Sequence, residues 1–192
     1  MKHVAVWCGS SLGTRPSYVE AAMNLGRELA EREIGLVYGG AARGLMGVLA
    51  DATLEAGGEV FGVIPQGLVD LEVAHTGLTR QVIVSTLEER KAIMIGESDA
   101  FVALPGGHGT LDELFEVLTW TQLGVHDKAM GLLDVEDYYE HLVAHLDRCR
   151  DEGFLAAQYR SMLLHDTRAG ALLDQLASFT PPARPTWNAA KS

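Results

Sequence analysis

Cysteine is almost missing from this chain. Cys8 and Cys149 are the only two and lie far apart, so neither a disulfide framework nor a cysteine-based metal site is expected. Long apolar runs are missing as well, and no stretch approaches the ~18 residues that a membrane span requires. The first ten residues, M-K-H-V-A-V-W-C-G-S, carry one lysine and then a short apolar run. They read as a buried first strand rather than a signal peptide, which needs a longer apolar region and a cleavage site. The expectation is a cytoplasmic protein with no membrane partner. Positive charge is scarce: 15 Lys and Arg face 26 Asp and Glu, a net charge of −11. A general nucleic-acid binder normally presents a basic face, so nucleic acid is not an expected partner. A small phosphate ligand stays open, because a few backbone amides and one or two cations hold one.

The 192 residues are 47% hydrophobic and 21% charged, an ordinary globular balance. That argues against disorder and for a single domain with one substantial core. Residues 1–180 are expected to form that domain. The tail, with T-P-P-A-R-P-T-W, holds three prolines in a short space, and residues 181–192 are expected to be extended or disordered.

Short apolar runs alternate with longer helical patterns. Val4–Cys8, Gly35–Tyr38, Val60–Ile64, Gln81–Val84, Ala100–Leu104 and Met130–Leu133 are continuous rather than alternating, as in strands buried on both faces of a parallel sheet. Helical patterns run over about 17–33, 45–56, 86–99, 111–123 and 137–152, with a last one near 168–179. Residues 65–79 form a longer connection with room for one helical turn. This alternation predicts an α/β fold: a Rossmann-like, doubly wound, mainly parallel sheet flanked by helices. Ligands of such sheets bind beyond the carboxyl ends of the strands.

Three glycine-containing turns fall at those ends: C-G-S-S-L-G, Y-G-G-A-A-R-G-L-M-G and L-P-G-G-H-G-T. One such turn is explained by the need for positive φ alone; three on one edge point to a nucleotide-sized site. A nicotinamide fingerprint needs G-x-G-x-x-G and an acid at the end of the next strand. Residues 39–44 lack that spacing, and the next strand ends in Ile64-Pro65-Gln66. No G-K-[ST] occurs, so the Walker pattern is missing too.

Thr110 and Glu113 have capping-box spacing, and so do Ser85 and Glu88. Glu113 is therefore a candidate for two jobs, helix cap and carboxylate beside the turn. Arg90 and Lys91 sit early in a helix, where cations oppose the macrodipole; they face either solvent or an anionic partner. His108 is expected to point out of its turn. His141 and His145 read as part of a solvated face, and His75 and His126 as loop residues without a partner. No catalytic Ser or Cys arrangement and no metal-ligand cluster is visible, so no metal and no cofactor is expected.

Taken together, G-G-A-A-R-G-L-M-G, E-E-R-K and P-G-G-H-G-T-L-D-E resemble the LONELY GUY (LOG) family, the cytokinin riboside 5′-monophosphate phosphoribohydrolases, with its signature P-G-G-x-G-T-x-x-E preceded by an R-K pair. The resemblance runs from about Val4 to Phe154 and includes V-A-H-T-G-L-T and T-W-T-Q-L-G-V-H-D-K. It implies hydrolysis of the N-glycosidic bond of an adenosine-type 5′-monophosphate, releasing free base and ribose 5-phosphate. It also implies a homodimer or higher assembly. Arg90 and Glu113 match the family's catalytic pair. Glu72, Lys91, the turn Gly106-Gly107-His108-Gly109-Thr110, Thr119 and Gly39-Gly40 match nucleotide-contacting positions. Ala41 departs from the third glycine of many members. A lysine decarboxylase label attached to some relatives implies a Lys Schiff base with pyridoxal phosphate, yet only Lys2, Lys91, Lys128 and Lys191 are available. The rival reading from another class is a non-catalytic nucleotide or cofactor carrier on the same fold.

Overall fold

The computed structural model describes residues 1–71 and 73–182. Glu72 and most of the expected tail, from Ala183 onward, lie outside the described residues. Among the described residues there are seven strands: β1 (His3–Trp7), β2 (Gly35–Tyr38), β3 (Val60–Pro65), β4 (Arg80–Val84), β5 (Ala100–Ala103), β6 (Ala129–Leu133) and β7 (Leu163–Asp166). They form one sheet in the order β4-β3-β2-β1-β5-β6-β7, and every neighbouring pair is parallel. The helices are α1 (Pro16–Glu31), α2 (Gly44–Glu55), α3 (Gln66–Val69), α4 (Leu87–Gly96), α5 (His108–Gln122), α6 (Glu140–Asp151), α7 (Ala157–Arg160) and α8 (Ala169–Ser178). The expected doubly wound, Rossmann-like architecture is what forms.

Two cores explain the continuous apolar runs except that of β4, expected to be buried on both faces but lying at the sheet edge with Gln81 and Ile83 exposed. Val4 and Val6 of β1 face Leu25, Leu29, Leu49 and Leu172, brought by α1, α2 and α8. Ala5 and Trp7, pointing the other way, face Met94, Leu114 and Val117 from α4 and α5. Helices thus cover both faces, and winding reverses at β1, which pairs with β2 on one side and β5 on the other. The crevice at that reversal, beyond the strand ends, is where such sheets take ligands.

Two further local features differ from expectation, β7 and the start of α5, and a third, the helical turn in the 65–79 connection, agrees with it. β7 has no counterpart among the expected strands: L-L-H-D is short and half polar, and as an edge strand it pairs only with β6. α5 begins at His108 rather than Leu111. In the 65–79 connection, the single helical turn is α3, and Ala74 forms an antiparallel bridge with Ala41. The C-terminus of α1 is a Schellman motif, with Ile34 N–H on Leu29 O (2.9 Å) and Glu33 N–H on Ala30 O (3.0 Å). Glu33 occupies its left-handed position at φ 57°. No helix among the described residues is long and apolar enough to cross a membrane.

Candidate active site

The turn after β5 is packed from below. A Cβ on Gly106 would meet the Thr110 side chain at 2.8 Å from its Cβ, and the Gly9 amide at 3.0 Å. Only glycine allows this approach. Thr110 is accordingly buried, and the helix is capped not by it but by Gly107, without any side-chain cap bond. The capping-box reading of Thr110 and Glu113 is therefore corrected: the glycine turn enters the helix directly, and Thr110 is its third residue. Gly107 and Gly109 are uncrowded, since a Cβ at either would touch nothing within 4 Å among the described residues. The first amides of α5 have no intrahelical partner and, with the helix dipole, favour an anion there.

Glu113 lies one turn further on the inward face of α5 and is only 7% exposed. Arg90, from the first turn of α4, sets Nη1 3.2 Å from Glu113 Oε1. The pair is electrostatic rather than a well-aligned hydrogen bond, and Oε1 is buried with no hydrogen-bond partner among the described residues. Arg90 Nε donates to Val63 O at 3.2 Å. Its guanidinium occupies the space over Gly39, where a Cβ would collide with it. Burial pushes the Glu113 carboxyl up, Arg90 pulls it back, and Asp112 raises it again, leaving it at about 7. Cys8 is buried beside this pair. Burial, and then the Glu113 charge, push its thiol far up, so Cys8 is a neutral packing residue rather than a thiolate.

Lys91 reaches two carboxylates of α5, Asp112 at 3.1 Å and Glu116 at 2.9 Å. The cations that opposed the helix dipole thus have anionic partners, and α4 is clamped to α5 beside the site. The second cap forms one residue later than expected, with Thr86 as the N-cap and Glu89 reaching back past it to Ser85. Thr86 Oγ1 accepts from Glu89 N–H (3.1 Å) and Glu89 Oε2 accepts from Ser85 N–H (2.9 Å). Gly40 takes φ 75°, and its carbonyl accepts from His75 N–H at 2.9 Å. His75 has a partner that sequence spacing did not reveal, Asp51 Oδ1 at 2.9 Å. His126 Nδ1 lies near Thr121 Oγ1 and accepts from Lys128 N–H, both at 3.3 Å. His108 is exposed. Thr119 Oγ1 donates to Phe115 O at 2.7 Å and lines an open depression of about 440 Å³ with His108, Phe115 and Trp120. Among the described residues, no group of three or more His, Cys, Asp or Glu could hold a metal ion.

Residues 46–176 match a family model described as "Possible lysine decarboxylase". The chain is 46% identical over 180 residues to the cytokinin riboside 5′-monophosphate phosphoribohydrolase LOG7 of Arabidopsis thaliana, covering 94% of this chain and 83% of that one. The chain belongs to the LOG family. A probable cytokinin riboside 5′-monophosphate phosphoribohydrolase of rice, LOGL1 (Oryza sativa subsp. japonica), is likewise 46% identical over 177 residues, covering 92% of this LOG chain and 79% of the rice protein. Among solved structures, the molybdenum cofactor carrier protein of Chlamydomonas reinhardtii superposes with a TM-score of 0.70 at 21% identity, covering 93% of this chain and 99% of that one. That likeness concerns the fold.

Proposed function

We propose that this LOG-family protein hydrolyses the N-glycosidic bond of a cytokinin riboside 5′-monophosphate, or of AMP, to free base and ribose 5-phosphate. The observation that carries the reading is the largely buried Arg90–Glu113 pair one helical turn from the uncrowded glycines Gly107 and Gly109 at the start of α5, in a chain 46% identical to a named phosphoribohydrolase. Residues 1–180 act as one nucleotide-binding unit.

In this scheme the 5′-phosphate sits on the start of α5, held by the amides of the turn Gly106–Thr110. Bond cleavage passes through an oxocarbenium-like sugar, and the Glu113 carboxylate supplies the negative charge that faces it. A carboxyl titrating at about 7 is also suited to taking a proton from the attacking water. The water's hydroxyl ends on the anomeric carbon and a proton on the departing base. Arg90 orients Glu113. Lys91, Thr119, Gly39, Gly40 and Glu72 complete the nucleotide contacts by family correspondence. Gly39 has a second task, leaving room for Arg90.

A homodimer fits the exposed apolar side chains Leu87, Phe115, Leu123 and Val125 at 55, 38, 47 and 64%, which flank the α4–α5 clamp; apolar surface of this kind marks association sites. The decarboxylase description finds no support in the lysines: Lys91 is held by two carboxylates, and Lys128 donates to Ile95 O at 2.6 Å. A mere carrier would have no use for the Arg90–Glu113 pair. Incubation with AMP and with isopentenyl-AMP, followed by chromatography for free base, tests the proposal. Release of base from either supports it, and intact nucleotide from both rejects it.

A further inference from the structure

Three successive carbonyls at the end of β5 are each drawn onto a donor from a neighbouring loop. Leu104 O accepts from the Tyr139 hydroxyl at 2.6 Å, and Pro105 O from Gly9 N–H at 3.0 Å. Gly106 O accepts from the Tyr138 hydroxyl at 2.5 Å. The last bond matters most for the turn. The carbonyl of Gly106 and the N–H of Gly107 belong to one planar trans peptide and point in opposite directions. A donor that pins the carbonyl therefore aims the amide to the other side. Beside Gly107 itself there is room, since a Cβ there meets nothing within 4 Å among the described residues.

The segment that delivers Tyr138 is built for placement. Glu136 and Asp137 are consecutive left-handed residues, at φ 54° and 56°, a conformation that costs a side-chain-bearing residue energy and persists only where the surroundings impose it. Asp134 Oδ1 accepts from Tyr139 N–H at 2.8 Å. Glu136 pairs with Arg15, just before α1, at 3.4 Å. The Tyr138 ring meets Tyr139 and Tyr18 edge-on, at centroid distances of 4.9 and 5.8 Å. The loops after β1 and β6, which flank β5 in the sheet, thus meet around the glycine turn.

We infer that Tyr138 is a positioning residue for phosphate binding, acting through the Gly106–Gly107 peptide to hold the Gly107 amide toward the ligand. The inference rests on the reading of the α5 start as the phosphate site. It assigns the hydroxyl a task that the ring packing does not perform, fixing the orientation of the Gly106–Gly107 peptide.

The test is Tyr138→Phe in the full-length protein, which keeps the ring and removes only the donor. Calorimetric titration with ribose 5-phosphate, which needs no turnover, is the first readout. Loss of one hydrogen bond that orders an amide is expected to weaken binding by about three- to tenfold. Steady-state kinetics give the second: KM for AMP should rise by a similar factor with kcat little changed, while hydrolysis of adenosine, which lacks the phosphate, stays at the wild-type rate. Equal ribose 5-phosphate affinity in both proteins overturns the inference alone. Equal losses for AMP and adenosine also overturn it, since they mark general loosening. A wild-type protein that binds no ribose 5-phosphate overturns the phosphate-site reading and this inference with it.

Discussion

Arg90 Nη1 stands 3.2 Å from Glu113 Oε1, joining a cation from the first turn of α4 to a carboxylate from the second turn of α5. Neither residue is near the other in sequence. They meet because α4 and α5 cover the same face of the sheet, and because Gly39 at the end of β2 leaves the guanidinium its place.

That dependence gives the first prediction. In Gly39→Ala the new methyl overlaps the guanidinium, the movable end of a long side chain, so the fold should survive while Arg90 is displaced. A shift of ~1 Å in a catalytic group costs about a hundredfold in rate. Turnover of AMP should fall by about that factor, with the melting temperature lowered only slightly. An unchanged kcat in the Gly39→Ala protein would disconnect Arg90 placement from catalysis.

The Glu113 carboxyl, raised by burial to about 7, makes activity and stability pH-dependent in opposite senses. Activity that uses the carboxylate should climb as pH rises through about 7. For stability, a folded-state pKa above the unfolded one means that the native state binds more protons between the two values. The contribution is complete below about pH 4.5, the ordinary carboxyl value, and is lost as pH rises through about 7. Glu113→Gln should flatten that part of the melting-temperature profile, as scanning calorimetry across pH 4–8 would record.

Much of this arrangement is legible in the chain. The continuous apolar runs gave the buried strands β1, β2, β3, β5 and β6, since residues covered on both faces have no reason to alternate, and the glycine turns marked the carboxyl edge; the run in β4 gave a strand, but one exposed at the sheet edge. β7 escaped because L-L-H-D offers two apolar residues before a polar pair, whereas β4, the other edge strand with mixed burial, carries the longer apolar run V-I-V. The Thr110–Glu113 spacing misled for a physical reason. Capping boxes are recognised by a hydroxyl three residues before a carboxylate, and the same spacing arises inside a first turn when glycine serves as the cap. The Asp51–His75 contact, 24 residues apart, had no local signature.

The displaced cap makes a paired prediction. Thr86→Ala removes the oxygen that accepts Glu89 N–H and should cost about 1 kcal/mol, roughly 2–4 °C in melting temperature. Ser85 contributes only its backbone amide to the motif, so Ser85→Ala should melt with the wild type. The reverse order would restore the Ser85–Glu88 assignment.

Glu33 offers a stabilising change. It sits at the left-handed position of the Schellman motif ending α1, where glycine carries no Cβ penalty. Glu33→Gly should stabilise the protein by about 1 kcal/mol, raising the melting temperature by roughly 2–4 °C and leaving activity unchanged. Thermal denaturation followed by circular dichroism reads this directly, and a lowered midpoint would contradict it.

The central claim is that the Glu113 carboxylate performs the chemistry and is no mere part of the helix. The most direct measurement compares wild type and Glu113→Gln for release of free base and ribose 5-phosphate from AMP and isopentenyl-AMP, at pH 8, with folding verified by circular dichroism. Base release by the wild type is expected, with a loss of at least about a hundredfold in kcat for a folded Gln variant, the scale of removing a general base or its charge. A folded Gln variant that releases base at the wild-type rate would contradict the claim.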